Sequence, residues 1–77
     1  MKVTLYTKAQ CGLCEEAEVM LRRLQRKIHF DLEFVDVEAD ASAYQRYGQR
    51  IPVIAVDDEE VAAAPLDETR LQALLRA

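Results

Sequence analysis

Val3-Thr4-Leu5-Tyr6-Thr7-Lys8-Ala9-Gln10-Cys11-Gly12-Leu13-Cys14 is the stretch on which the reading of this chain turns. Its first half alternates β-branched, aliphatic and aromatic residues, the pattern of a strand. Lys8-Ala9-Gln10 is then a short connection. Beyond it Leu13, Cys14, Ala17, Met20, Leu21, Leu24 and Ile28 recur at helical spacing, with Glu15, Glu16 and Glu18 ahead of Arg22, Arg23 and Arg26. Acids leading and bases trailing suit the partial charges of a helix dipole, so one amphipathic helix is expected from about Gly12 to Lys27. Two cysteines thus fall at a strand-to-helix junction, the first of them just ahead of the helix.

The elements that follow are read in the same way. Phe30, Leu32 and Phe34 alternate with Asp31 and Glu33, and Val35 and Val37 flank Asp36, which predicts a second strand that starts half exposed and ends more buried. Asp40 is suited to cap a short helix carrying Ala43, Tyr44 and Tyr47 inward, with Gly48 able to end it in the left-handed conformation. Ile51-Pro52-Val53-Ile54-Ala55-Val56 reads as a third strand opened by its proline. Asp57-Asp58 is a turn, and Glu59 to Ala64 a short edge strand. Asp67 then caps a last helix in which Leu71, Leu74 and Leu75 recur at helical spacing. The order is β-α-β-α-β-β-α, an α/β fold.

Composition bounds what such a chain does. Seventy-seven residues, 51% of them apolar, make one small globular domain. Ten basic against fourteen acidic residues give a net charge of -4, the wrong sign for a phosphate backbone or an anionic leaflet. Neither nucleic acid nor membrane is an expected partner. No apolar run approaches the roughly 20 residues of a membrane span, and the N-terminus lacks the pattern of a secretory leader. The expected compartment is the cytoplasm.

Cys11 and Cys14 are the two cysteines, and they close a loop too short to tie distant parts together. In a cytoplasmic chain such a pair reads as redox or metal chemistry. A zinc site takes four ligands, and beyond the two thiols the chain has one histidine, His29, at the far end of the first helix. Zinc could be held only between chains, so no metal is expected. The redox reading asks less: free amides and the positive dipole end favour a thiolate at Cys11, and Cys14, one helical turn on, can attack a mixed disulfide there. Lys8 adds positive charge upstream, against which Glu15 and Glu16 work.

A strand, loop and C-x-x-C helix followed by a second helix, Ile51-Pro52 and a hairpin resembles the thioredoxin superfamily over nearly the whole chain. Leu5-Tyr6-Thr7-Lys8 before Cys11, Tyr47-Gly48 leading into Ile51-Pro52-Val53, and Leu66-Asp67-Glu68 before the last helix resemble the small bacterial glutaredoxin-like group. The resemblance implies one domain over residues 1–77, with a mixed four-stranded sheet and helices on both faces. It also implies a monomeric thiol-disulfide oxidoreductase acting on protein or small-molecule disulfides. By position, Cys11 is then the nucleophile, Cys14 the resolving thiol and Pro52 a cis-proline. The Ile51 backbone is a clamp for the substrate, and Lys8, Gly12, Leu13 and Arg50 are further substrate contacts.

The chain departs from the glutaredoxin pattern in two places. Gly12-Leu13 stands where proline and tyrosine are usual, and Ala62-Ala63-Ala64-Pro65 where a pair of glycines holds the far end of glutathione. With Asp57, Asp58, Glu59 and Glu60 nearby in sequence, glutathione is expected to be used weakly, and either it or a reductase to supply electrons. Two alternatives stand beside the oxidoreductase: a glutathione-dependent iron-sulfur cluster carrier, and a metal-binding C-x-x-C module such as a copper chaperone. The latter has a different strand order and usually a methionine where this chain has Ala9.

Overall fold

A computed structural model describes residues 1–76. Strand β1 (Lys2–Thr7), helix α1 (Gly12–Gln25), strand β2 (Asp31–Asp36), helix α2 (Ala41–Tyr47), strands β3 (Val53–Val56) and β4 (Glu59–Ala63) and helix α3 (Glu68–Arg76) follow in the expected order. The sheet is ordered β2-β1-β3-β4. β2 lies parallel to β1, while β3 is antiparallel to both β1 and β4. The sheet is therefore mixed, and its alternating side chains divide the core between two faces. Val3, Leu5 and Ile54 meet Ala17, Leu21 and Leu24 of α1 and Leu71 and Leu75 of α3 on one face. On the other, Val53 packs with Val37, Ala43 and Tyr47, bringing α2 against Tyr6 and Val35. Helices cover both faces.

Local chemistry fixes the joints. Asp40 caps α2 by accepting the Ala43 amide at 3.0 Å, and Asp67 accepts the Arg70 amide at 3.2 Å at the start of α3. Asp57 and Asp58 both have positive φ, 49° and 72°, and join β3 to β4 in a two-residue turn. Left-handed residues at both positions give the turn whose twist matches a hairpin, and aspartate tolerates that conformation better than most side chains. β4 is the edge strand expected from Val61 and its alanines.

Four details differ from the sequence reading. α1 ends at Gln25, with Arg26 as its cap, rather than at Lys27. Tyr44 of α2 points outward and is exposed, and so is Phe34, because β2 is an edge strand that no helix fully covers at that residue. Arg22 of α1 stacks over the Phe34 ring instead, 5.3 Å from its centroid. Gly48 is right-handed, φ -54° and ψ -28°, so it is not a left-handed cap. The glycine answers a close approach: a Cβ there would lie 2.7 Å from the Tyr44 carbonyl oxygen and 2.8 Å from its ring.

Candidate functional site

β1 delivers the chain to the cysteines at Thr7, where Lys8 and Ala9 lead into Gln10, left-handed at φ 56°. That residue turns the backbone so that Cys11, extended at φ -120° and ψ 105°, becomes the N-cap of α1. A serine or aspartate usually fills this role by accepting an orphan amide of the first turn. Here sulfur does so: Cys11 Sγ accepts the Cys14 amide at 3.2 Å. Cys11 and Cys14 are joined as a disulfide, their Cα atoms 5.2 Å apart. Cys11 is partly exposed, whereas Cys14 is only 2% exposed against the core. The two sulfurs are thus unequal in access, the outer one at the helix start and the inner one beneath it.

Gly12 and Leu13 stand open above the disulfide. A Cβ on Gly12 would meet no atom within 4 Å, so the glycine relieves no clash and leaves an unobstructed approach. Leu13 is 60% exposed, a large apolar side chain in water next to the sulfurs. It forms one wall of a cleft of about 180 Å³, completed by Met20 of α1, Pro52, and Ala64, Pro65 and Leu66 beyond β4. Glu16 is its charged lining residue. The Ile51–Pro52 peptide bond is cis, as is Ala64–Pro65, and the Ala64 amide donates to the Pro52 carbonyl at 3.1 Å. These two proline segments are thereby held side by side across the cleft. Among the described residues, no hydrogen bond occupies the Ile51 amide or carbonyl.

The structure therefore brings Leu13, which lies between Cys11 and Cys14 in the chain, and Pro52 to one opening, with Ile51 preceding the proline, whereas Gly12 faces a separate groove along α1. Lys8 lies exposed on the adjoining loop. Arg50 is turned elsewhere: its guanidinium holds Glu60 through bonds of 2.6 and 3.0 Å, donates to the Arg46 carbonyl at 3.2 Å, and lies over the Tyr47 ring. Arg50 in turn holds the Glu60 carboxyl below the ordinary carboxylate range.

The acidic run Asp57–Glu60 is also elsewhere, which corrects the expectation that it crowds the site. Asp57 accepts the Lys2 amide and Asp58 meets the Lys2 ammonium at 3.1 Å, at the opposite end of β1. Glu60 lies on the side of α2. The sequence sets Glu16 only against the Cys11 thiolate and Pro65 only in the segment that replaces a glycine pair, and it does not single out Met20 or Leu66 as site residues, although Leu13, Glu16 and Met20 share one helical face by spacing alone.

Among the described residues, no helix is long and apolar enough to cross a membrane. The family model described as Glutaredoxin-like domain (DUF836) matches residues 2–76. An uncharacterized protein of Mycobacterium tuberculosis is 32% identical, the match covering 94% of this chain and 79% of that protein. The crystal structure of a structural-genomics target from X. campestris superposes with a TM-score of 0.81 at 30% identity, over 96% of this chain and 95% of that one. A mutant thioredoxin from Halobacterium salinarum superposes with a TM-score of 0.72 at 24% identity, over 97% of this chain and 71% of that one, a likeness of fold.

Proposed function

Because the chain belongs to the glutaredoxin-like domain family and has the thioredoxin fold, we propose that it is a dithiol oxidoreductase that reduces protein or small-molecule disulfides. The observation that carries this reading is the Cys11–Cys14 pair at the start of α1, with the outer sulfur accessible and the inner one buried. In the reduced chain the Cys11 thiolate attacks one sulfur of a substrate disulfide. The other substrate sulfur leaves as a thiolate and takes a proton. Cys14 then attacks Cys11 Sγ, which releases the second substrate thiol and closes the intramolecular disulfide. Two electrons pass from the cysteine pair to the substrate. The free Ile51 amide and carbonyl suit an extended substrate segment beside Pro52, as the edge of a sheet would.

Glutathione fits the opening poorly. Arg50, the arginine expected to meet one of its carboxylates, already holds Glu60, and the cleft beside Pro52 is apolar with Glu16 in its wall. A carboxylate-bearing tripeptide would meet repulsion there and only Lys8 to offset it. Of the acidic run only Glu60 bears on glutathione, by occupying Arg50. The reading is of a monomer working in the cytoplasm, where a dithiol is kept reduced, and recharged by a reductase rather than by glutathione.

The test supplies a peptide disulfide and either thioredoxin reductase or glutathione with its reductase, and follows consumption of the nicotinamide donor. Turnover that is faster with thioredoxin reductase is expected. Absence of disulfide reduction with both donors contradicts the oxidoreductase reading, and equal turnover with glutathione contradicts its weak use.

A further inference from the structure

We propose that the cleft beside the disulfide selects substrates whose cysteine is flanked by lysine or arginine, with Glu16 the residue that sets the preference; this rests on the oxidoreductase reading. At about 180 Å³ the cleft is smaller than the roughly 300–1,000 Å³ of pockets that enclose a small molecule, so one side chain fills it. Its walls are Leu13, Met20, Pro52, Pro65 and Leu66, and Glu16 is the charged group among them. A shallower groove along α1 shares Glu16 and Met20 and adds Glu15. The cation of that groove, Arg23, is engaged by Glu68 at 2.6 Å. Among the described residues Glu15 and Glu16 form no ion pair.

Acids in a first helical turn also favour the helix itself, which accounts for their sign. It does not account for an apolar cleft opening beside one of them at the redox pair. A lysine or arginine suits both features, since its aliphatic stem covers Leu13, Pro65 and Leu66 while its head reaches Glu16 and water. An aliphatic residue fills the cleft without meeting the carboxylate, and an acidic residue meets repulsion. Lys8 lines neither groove. The chemistry is the exchange described above: Cys11 attacks the sulfur of the flanked cysteine, its disulfide partner leaves as a thiol, and Cys14 releases the flanked peptide as a second thiol.

The experiment measures reduction of symmetric disulfide dimers of three blocked tripeptides, Lys-Cys-Lys, Leu-Cys-Leu and Glu-Cys-Glu, by the reduced protein. Each rate is divided by that peptide's rate with dithiothreitol, which removes differences in intrinsic reactivity. After division the lysine peptide is expected to exceed the glutamate peptide by about three- to fivefold or more, as an exposed charge pair allows. Added salt should shrink that ratio, Glu16→Gln should reduce it, and Glu16→Lys should invert it. Because Glu16 is exposed, circular dichroism should show all variants folded. A ratio near one in the wild type, or one unchanged by both substitutions, overturns the specificity while leaving the oxidoreductase reading in place. Failure to reduce any of the peptides overturns both.

Discussion

At the Lys2 end of the sheet the chain closes on itself, whereas at the Thr7 end, about 17 Å of strand away, it leaves groups open. The Lys2 amide donates to Asp57 at 3.0 Å, and its ammonium lies 3.1 Å from Asp58 and 3.9 Å from Glu33. A two-residue turn and an ion cluster thus pin β1, β2 and β3 together. At the other end Leu13 is largely in water, Glu15 and Glu16 lack ion-pair partners among the described residues, and the Ile51 backbone is unclaimed. One end satisfies its polar groups internally and holds register. The other presents an outer sulfur, an apolar wall and a carboxylate to whatever arrives. Four consecutive acids stand a few residues from Ala62–Leu66 in the sequence, yet the hairpin carries Asp57 and Asp58 to the quiet end.

The comparison can be broken in several ways, beginning with the core that both ends share. Leu21 is fully buried between α1, the sheet and α3. Leu21→Ala should cost about 2–5 kcal/mol, read as a lower urea midpoint, and should loosen both ends at once. If only one end is affected, as judged by amide exchange, the two are not built on a common frame.

Asp58→Ala acts on the quiet end alone. It forces a Cβ without a polar partner into the left-handed region and removes the contact to Lys2, a loss of about 1 kcal/mol in urea unfolding. Asp58→Gly should recover part of it. The rate at which iodoacetamide labels reduced Cys11 should match the wild type in both, and a changed rate would show that the ends communicate.

The smallest effect is one of pH. Arg50 holds Glu60 below its ordinary carboxylate range, and Arg23 does the same to Glu68. In each case the folded chain binds the proton less tightly than the unfolded one. The stabilisation is therefore complete above the unfolded carboxylate value and is lost as pH falls through it toward the lowered folded value. Between pH 6 and pH 3 the wild-type urea midpoint should fall further than that of Glu60→Gln, by a modest margin because water screens both partners. Equal falls would mean that the Arg50 contact contributes nothing.

Much of this architecture was legible in the sequence because its signals are local. Caps at Asp40 and Asp67, the Asp57-Asp58 turn, the helical stripe from Leu13 to Leu24 and the β-α-β-α-β-β-α order each follow from neighbours within one or two turns. The cysteine pair at a strand-to-helix junction was legible for the same reason. What escaped depends on pairing across the sheet. Arg50 reads as a substrate contact because nothing nearby in the chain announces Glu60, which reaches it only once β4 folds back along β3. The outward Tyr44 and Phe34, and the wall formed by Pro65 and Leu66 opposite Leu13, likewise require knowing which face an element turns to its neighbours. By sequence Gly48 is a left-handed helix cap, whereas the constraint is the close approach of the Tyr44 carbonyl and ring.

The division between an outer attacking sulfur and an inner resolving one is tested most directly by mass spectrometry. Reduced Cys14→Ser and Cys11→Ser proteins are each incubated with a peptide disulfide and digested without reductant. Cys14→Ser should accumulate one peptide, linked to Cys11, because no thiol is left to release it. Cys11→Ser should remain largely unmodified, since Cys14 is buried beneath the helix start. Comparable labelling of Cys14 in Cys11→Ser, or no adduct in either variant, would contradict the account.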